Sequence, residues 1–271
     1  VCKLLGQVTD KVQGYASAGF YAPGKTLEDL QREIEGYLQR GFTAFKMKIG
    51  RTANNHKMRL QFMNNGDFYL TPEEDRARIA LVRRTIGPDK ILMVDMNCTW
   101  DMNDVLEAKD FFKENNIFMV EEPIRSDDIA GYKRLTKEMG SIRVAGIESE
   151  QGLSRFGELI AEEAMDVVQA SLGWAGGFTA CKNIATLAHA FDKLYTPHSF
   201  FSAVMTAANI QLAASQVNIP FIEAEENENP LRTELLKEPI EADAHMNYYV
   251  TDKPGLGVEL DWDVVEKYAV K

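Results

Sequence analysis

An α/β fold built as a parallel (β/α) barrel is what this sequence predicts, and three observations predict it. Strand-like and helix-like segments alternate from end to end. The strand-like runs are short and almost continuously apolar, the pattern of a parallel sheet covered on both faces. Three successive runs, KILMVD, IFMVE and RVAGIE, close on an acid (Asp95, Glu121 and Glu148), at spacings of 26 and 27 residues. Such a spacing holds about one strand, one helix and two short loops. The three acids should therefore emerge side by side on one rim. With 271 residues the chain suits a barrel of about 250 residues.

The elements follow in order. YASAG (15–19) reads as the first strand. Thr26 heads TLEDLQREIEGYLQRG, where Thr-x-x-Asp offers an N-cap and Gly41 a stop. FTAFKMKIG (42–50) is the second strand. PEEDRARIALVRRTIG (72–87) is a helix with Pro at its start, acids in its first turn and Arg in its last. KILMVDMN precedes the helix MNDVLEAKDFFKENN, IFMVEEP precedes DIAGYKRLTKEMG, and RVAGIES precedes LSRFGELIAEEA. DVVQAS (166–171) precedes GGFTACKNIATLAHAFD, and KLYTPHS (193–199) precedes AVMTAANIQLAASQV. PFIEAE (220–225) is the eighth strand, followed by the short PLRTELLK (230–237). Residues 1–13 read as a linker-like segment, 14–240 as the barrel, and 241–271 as irregular cover with a PGLG turn. Residues 51–70, containing His56, Lys57 and Arg59, make a βα connection longer than usual. They read either as an insertion packed on the rim or as an active-site flap. An open doubly wound sheet is the competing fold, but neither a G-x-G-x-x-G nor a Walker sequence occurs.

Composition narrows the function. A net charge of −11 disfavours a nucleic-acid face. Three scattered cysteines, Cys2, Cys98 and Cys181, argue against a disulfide framework and a zinc knuckle. No run approaches a membrane span and no signal-peptide pattern stands at the start, so a reducing cytoplasm is the expected setting. Three adjacent carboxylates repel one another unless a cation neutralises them, and a hard divalent ion such as Mg²⁺ takes oxygen ligands of this kind. Lys46 and Lys48 alternate onto one face of the second strand, opposite Phe45 and Met47. Two cations there call for carboxylate or substrate partners. Their reading is a lysine base beside a second ammonium, with a solvated strand end as the bland alternative.

Taken together, Lys-x-Lys on strand two, VDMN, VEEP and GIES on strands three to five, and GWAGGFT, TPHS and FIEAE-ENENPLR further on resemble the enolase superfamily, in its mandelate racemase/muconate lactonizing branch. The likeness runs from about residue 12 to the end. It implies a modified (β/α)7β barrel, Mg²⁺ on Asp95, Glu121 and Glu148, and a small carboxylate substrate held on that ion. It implies abstraction of the proton α to the carboxylate by Lys48, beside Lys46, giving an enediolate. His198, ending TPHS, stands where this branch places an acid/base histidine. Its aspartate partner is replaced by Ser171, and Asp166 lies at the opposite end of that strand. Glu223 resembles the strand-eight glutamate, and Asn97, two beyond Asp95, is a candidate substrate contact. Trp100, Trp174 and Phe200 are candidate pocket walls, with core packing the alternative. The expected reaction is dehydration of a sugar acid. Racemisation or epimerisation, and a non-catalytic metal- or carboxylate-binding barrel, are the alternatives. The resemblance also implies homo-oligomers, and an amino-terminal capping domain that this stretch of sequence does not show.

Overall fold

The structure, a computed structural model, describes residues 1–51 and 70–270. The 51–70 segment, expected to be an insertion or a flap, therefore lies almost wholly outside the described residues. Contacts divide the chain into two compact units, Ala16–Ile147 with Glu158–Val167, and Val1–Tyr15 with Glu148–Gly157 and Val168–Lys271.

The first of these holds the carboxyl half of β1 (Lys11–Ala18), then α2 (Leu27–Gln39), β2 (Ala44–Lys48), α3 (Pro72–Ile86), β3 (Ile91–Asp95), α4 (Met102–Glu114), β4 (Ile117–Glu121), α5 (Ile129–Met139) and β5 (Arg143–Gly146). Its strands are all parallel and neighbour one another in chain order. The register sets Lys48 opposite Asp95 and Asp95 opposite Glu121. A parallel sheet repeats its pairing without reversing direction, so the three charged ends fall on one rim. The helices start where side chains can take their orphan N–H groups. Thr26 with Asp29, Thr71 with Glu74, and Asp101 with Asp104 each form a reciprocal capping box, and Pro72 opens α3. Buried Leu30 and Ile34 of α2 and Val105, Ala108 and Phe112 of α4 face inward, and Phe45, Met47, Leu92, Val94 and Val120 fill the sheet.

The second unit contains α1 (Cys2–Leu5), the amino half of β1, most of α6 (Leu153–Ala161), α7 (Gly177–Ala190), β7 (Leu194–Tyr195), α8 (Ala203–Ala213), β8 (Ile222–Glu225), α9 (Pro230–Thr233), β9 (Asn247–Tyr249) and α10 (Trp262–Tyr268). Here both β8 and β9 pair with β1. It pairs antiparallel with β9, Lys11 facing Tyr249 and Gln13 facing Asn247. The first strand therefore begins at Lys11, earlier than expected, because a partner more than two hundred residues away completes it. The expected sixth and seventh strands shrink to β6 (Val167–Val168) and β7. In their place single hydrogen bonds continue the ladder, from Thr196 N to Val168 O at 2.9 Å. The expected helix 230–237 is one turn long, and α1, α10 and β9 were not expected at all. No helix among the described residues is long and apolar enough to cross a membrane.

Candidate active site

At the ends of β2, β3 and β4 two lysines meet two acids. Lys46 is only 2% exposed, and Asp95 and Glu121 are fully buried. Lys46 Nζ donates to Glu121 Oε1 at 2.5 Å and lies 3.6 Å from Asp95 Oδ2. Lys48, a little more open, donates to the same Asp95 Oδ2. Alternation places both ammoniums on one face, as expected, with Phe45 and Met47 buried behind them. Burial acts to raise the pKa of Asp95, but the Lys48 and Lys46 ammoniums outweigh it and hold the carboxyl well below the usual range. The cluster is thus a charged, desolvated site in which each ion has a partner, as burial requires. The Lys48 ammonium also sits 5.7 Å from the centre of the Phe20 ring.

The backbone around the three acids is strained. Asn97 (φ 44), Cys98 (φ 61), Glu122 (φ 41) and Ile147 (φ 62) all lie in the left-handed region, each within three residues of Asp95, Glu121 or Glu148. A β-branched residue such as Ile147 is rarely found there. Strain of about 1–3 kcal/mol per residue concentrates at functional sites. Within this turn the backbone N–H of Asn97 donates to Asp95 Oδ1 at 2.8 Å. Glu122 is a buried carboxylate that the sequence reading passed over. Burial first, and then this neighbouring charge, push the Cys98 thiol far above its ordinary value.

The other unit carries Glu148, Ser171, His198 and Glu223. His198 Nε2 lies 3.6 Å from Glu148 Oε1. The imidazole stacks on Trp174, centroids 5.0 Å apart and 16° from parallel, and meets the edge of Phe201 at 5.5 Å. Ser171 is buried, and its Oγ accepts from Gly173 N at 3.3 Å, so it serves the turn that follows. Asp166 accepts from Val144 N at 2.9 Å, beside the start of β5, as expected of a residue at the far end of the strand. Glu223 is 3% exposed and accepts from Ser199 N at 2.8 Å, which ties β8 to the residue after His198. Glu225 shares its face and is also buried. Burial raises its pKa while Asn229, 3.1 Å away, acts against the rise. Of the expected aromatic walls, Trp174 stands at the histidine and Trp100 packs flat on Phe112 at 5.9 Å; Phe201, next to the expected Phe200, also meets the imidazole. Nothing in the run SFFSA distinguishes those two phenylalanines before the chain is folded.

Residues 29–264 match the family described as enolase C-terminal domain-like. The chain belongs to this family. Its curated relatives include the arabinonate dehydratase of Saccharolobus solfataricus, 31% identical over 100% of this chain and 67% of that protein. A crystal structure of the 3,6-anhydro-D-galactonate cycloisomerase from Zobellia galactanivorans has a TM-score of 0.86 at 31% identity, covering 100% of this chain and 70% of the other. A racemase from Streptomyces coelicolor A3(2), solved with bound magnesium, has a TM-score of 0.77 at 25% identity, covering 98% and 67%. The expected fold class is the one these structures share: α/β, with a mostly parallel sheet and helices between its strands. The chain spans about two thirds of the length of the relatives it matches.

Among the described residues no three His, Cys, Asp or Glu side chains are already gathered as a metal would require. The lysine ammoniums take the carboxylate oxygens of Asp95 and Glu121. The donors within the first unit suit a hard cation: Asp95 and Glu121 are two buried carboxylates in register on adjacent strands.

Proposed function

We propose that this chain carries the proton-abstraction site of an acid-sugar dehydratase. The observation that carries this reading is the buried Lys46–Glu121, Lys46–Asp95 and Lys48–Asp95 cluster at three adjacent parallel strand ends. Asp95, Glu121 and Glu148 would hold Mg²⁺, which when bound supplies positive charge to the substrate carboxylate and makes its α-proton more acidic. The same ion would compete with the lysines for carboxylate oxygens and release an ammonium. Lys48 is the base, because it is the more open of the pair and stands at the strand's last position. Lys46 stays buried, and its fixed charge favours the neutral amine at Lys48 and the developing oxyanion.

The α-proton passes to Lys48, the electron pair left on carbon expels the β-hydroxyl, and that hydroxyl leaves as water with a proton from His198. The enol then tautomerises to a 2-keto-3-deoxy acid. Ser171 stands where this branch places an aspartate, and a serine cannot supply the charge that raises an imidazole's basicity, so His198 is assigned as the proton donor. That favours dehydration over epimerisation, which needs a competent base on each face. The dehydratase among the relatives supports the substrate class. The test is incubation with a panel of aldonic and aldaric acids in D₂O. Loss of water with a 2-keto product supports the reading. Recovered starting acid with inverted, deuterated Cα means epimerisation, and no exchange with any acid means binding alone.

A further inference from the structure

The helix α3 carries two charges on its buried face. Asp75 and Arg78, three residues apart, are 1% and 6% exposed and lie in line with Ile79, Val82 and Ile86. Arg78 Nη1 donates to Asp75 Oδ1 at 2.8 Å and to the carbonyl of Lys48 at 3.0 Å, and its Nη2 donates to the carbonyl of Gly19 at 2.5 Å. Asp75 Oδ2 accepts the backbone N–H of Gly50 at 2.8 Å. The Tyr21 hydroxyl donates to both oxygens of Asp75, at 2.7 and 2.9 Å, and its ring lies 4.2 Å from the guanidinium carbon. Burial, and then the Asp75 charge, push the Tyr21 phenol well above its ordinary value, so it remains a donor.

A buried ion pair is weak as a source of stability, since well-packed apolar side chains commonly do as well. The rest of this helix face is apolar, so the pair calls for a use beyond packing. Its three backbone partners supply one: Gly19 just past the end of β1, Lys48 at the end of β2, and Gly50 two residues beyond. The planar guanidinium spans two carbonyls and a carboxylate at once, which a lysine in its place cannot do. We propose that Asp75 and Arg78 are positioning residues that fix the end of β2, and so the reach of the Lys48 ammonium. This rests on Lys48 being the base. Neither side chain touches that ammonium.

The test uses Arg78→Lys in the full chain, with D-arabinonate, D-galactonate, D-gluconate and galactarate in D₂O, the probe being whichever the wild type exchanges fastest. A displacement of about 1 Å at the base costs on the order of 10- to 100-fold in turnover. The expected result is a folded variant with kcat for α-proton exchange down about 10- to 100-fold, KM within about 2-fold, and a larger substrate deuterium isotope effect. The amides of Ile49 and Gly50 should also exchange hydrogen faster, while those of β4 do not. Wild-type kcat, or wild-type amide exchange at 49–50, in the folded variant overturns the proposal. If Arg78→Lys does not fold, Tyr21→Phe replaces it: removing one hydrogen bond should lower kcat about 5-fold, and an unchanged kcat overturns the proposal equally. Lys48→Ala separates the two claims. Continued exchange in Lys48→Ala removes the base assignment. Its loss there, together with wild-type exchange in Arg78→Lys, leaves the base and removes the positioning role.

Discussion

Replacing Lys46 by methionine should expose how this site is held together. The methionine keeps the length of the side chain and removes the charge between Asp95, 3.6 Å away, and Glu121, 2.5 Å away. Both acids are fully buried, so the strength of the pairing is not diluted by water. Breaking a buried pair from one side costs about 3–5 kcal/mol, because the other charge is left desolvated. At about 2–4 °C per kcal/mol, the melting temperature in EDTA should fall by roughly 6–20 °C. Lys48 continues to serve Asp95, so the loss falls chiefly on Glu121. On the proposed metal site, added Mg²⁺ should supply the missing charge. At about a hundred times its dissociation constant it returns ~2.7 kcal/mol by mass action, and the variant should gain more than the wild type because one competing ammonium is gone. Differential scanning calorimetry with and without Mg²⁺ measures both. A melting temperature in EDTA within about 2 °C of wild type would mean that the buried charges are not coupled as the distances imply.

Lys48→Ala should lower α-proton exchange at least 10²- to 10⁴-fold, on the order of what a positioned base contributes, with the fold intact by circular dichroism; exchange at the wild-type rate refutes the assignment. Asp95→Asn and Glu121→Gln should each weaken Mg²⁺ by about 10- to 100-fold or more in titration calorimetry, and unchanged binding in both removes the metal site. Gly50→Ala should destabilise by about 1–3 kcal/mol, since Gly50 has φ 87 and a Cβ there would stand 2.5 Å from Thr99 Oγ1 and 2.6 Å from Trp100 Nε1; equal denaturation midpoints would show that the turn gives way. Burial pushes the Cys181 thiol up from 9.0 to about 11 against a hydrogen bond with Tyr195 that lowers it. The folded chain keeps it neutral while the unfolded chain ionises near 9, so its stabilisation is complete below pH 9 and is lost as pH rises to about 11. The denaturation gap between wild type and Cys181→Ala should narrow over that range, and a constant gap contradicts it.

What was legible before folding depended on how local its cause is. The capping boxes at Thr26 and Thr71 are satisfied within one turn, and the first was read from its Thr-x-x-Asp spacing, while for the second only Pro72 and the first-turn acids were. The rim of Lys48, Asp95 and Glu121 was readable because each apolar run closes on its charged residue and parallel strands end on the same side, although a register shift between Leu92 and Val94 lies within β3. Where the cause lies far along the chain, the reading missed. Lys11–Gln13 become strand because Asn247–Tyr249 lie beside them, and Phe201 meets His198 through a turn the sequence does not describe. Asp75 belongs to neither class. Read as one more acid in a first turn, it suits the helix dipole and needs no further reason. Yet Asp75, Arg78, Ile79, Val82 and Ile86 fall on one helical face, and that face is otherwise apolar. A surface pair at this spacing would sit among polar neighbours. Opposite charges three apart within an apolar stripe must instead be buried together, and a buried pair must find further partners for its remaining donors and lone pairs. Only the strand ends that α3 covers have backbone groups to offer, so the link from Arg78 to the Lys48 carbonyl follows from the spacing once β2 is placed beneath it.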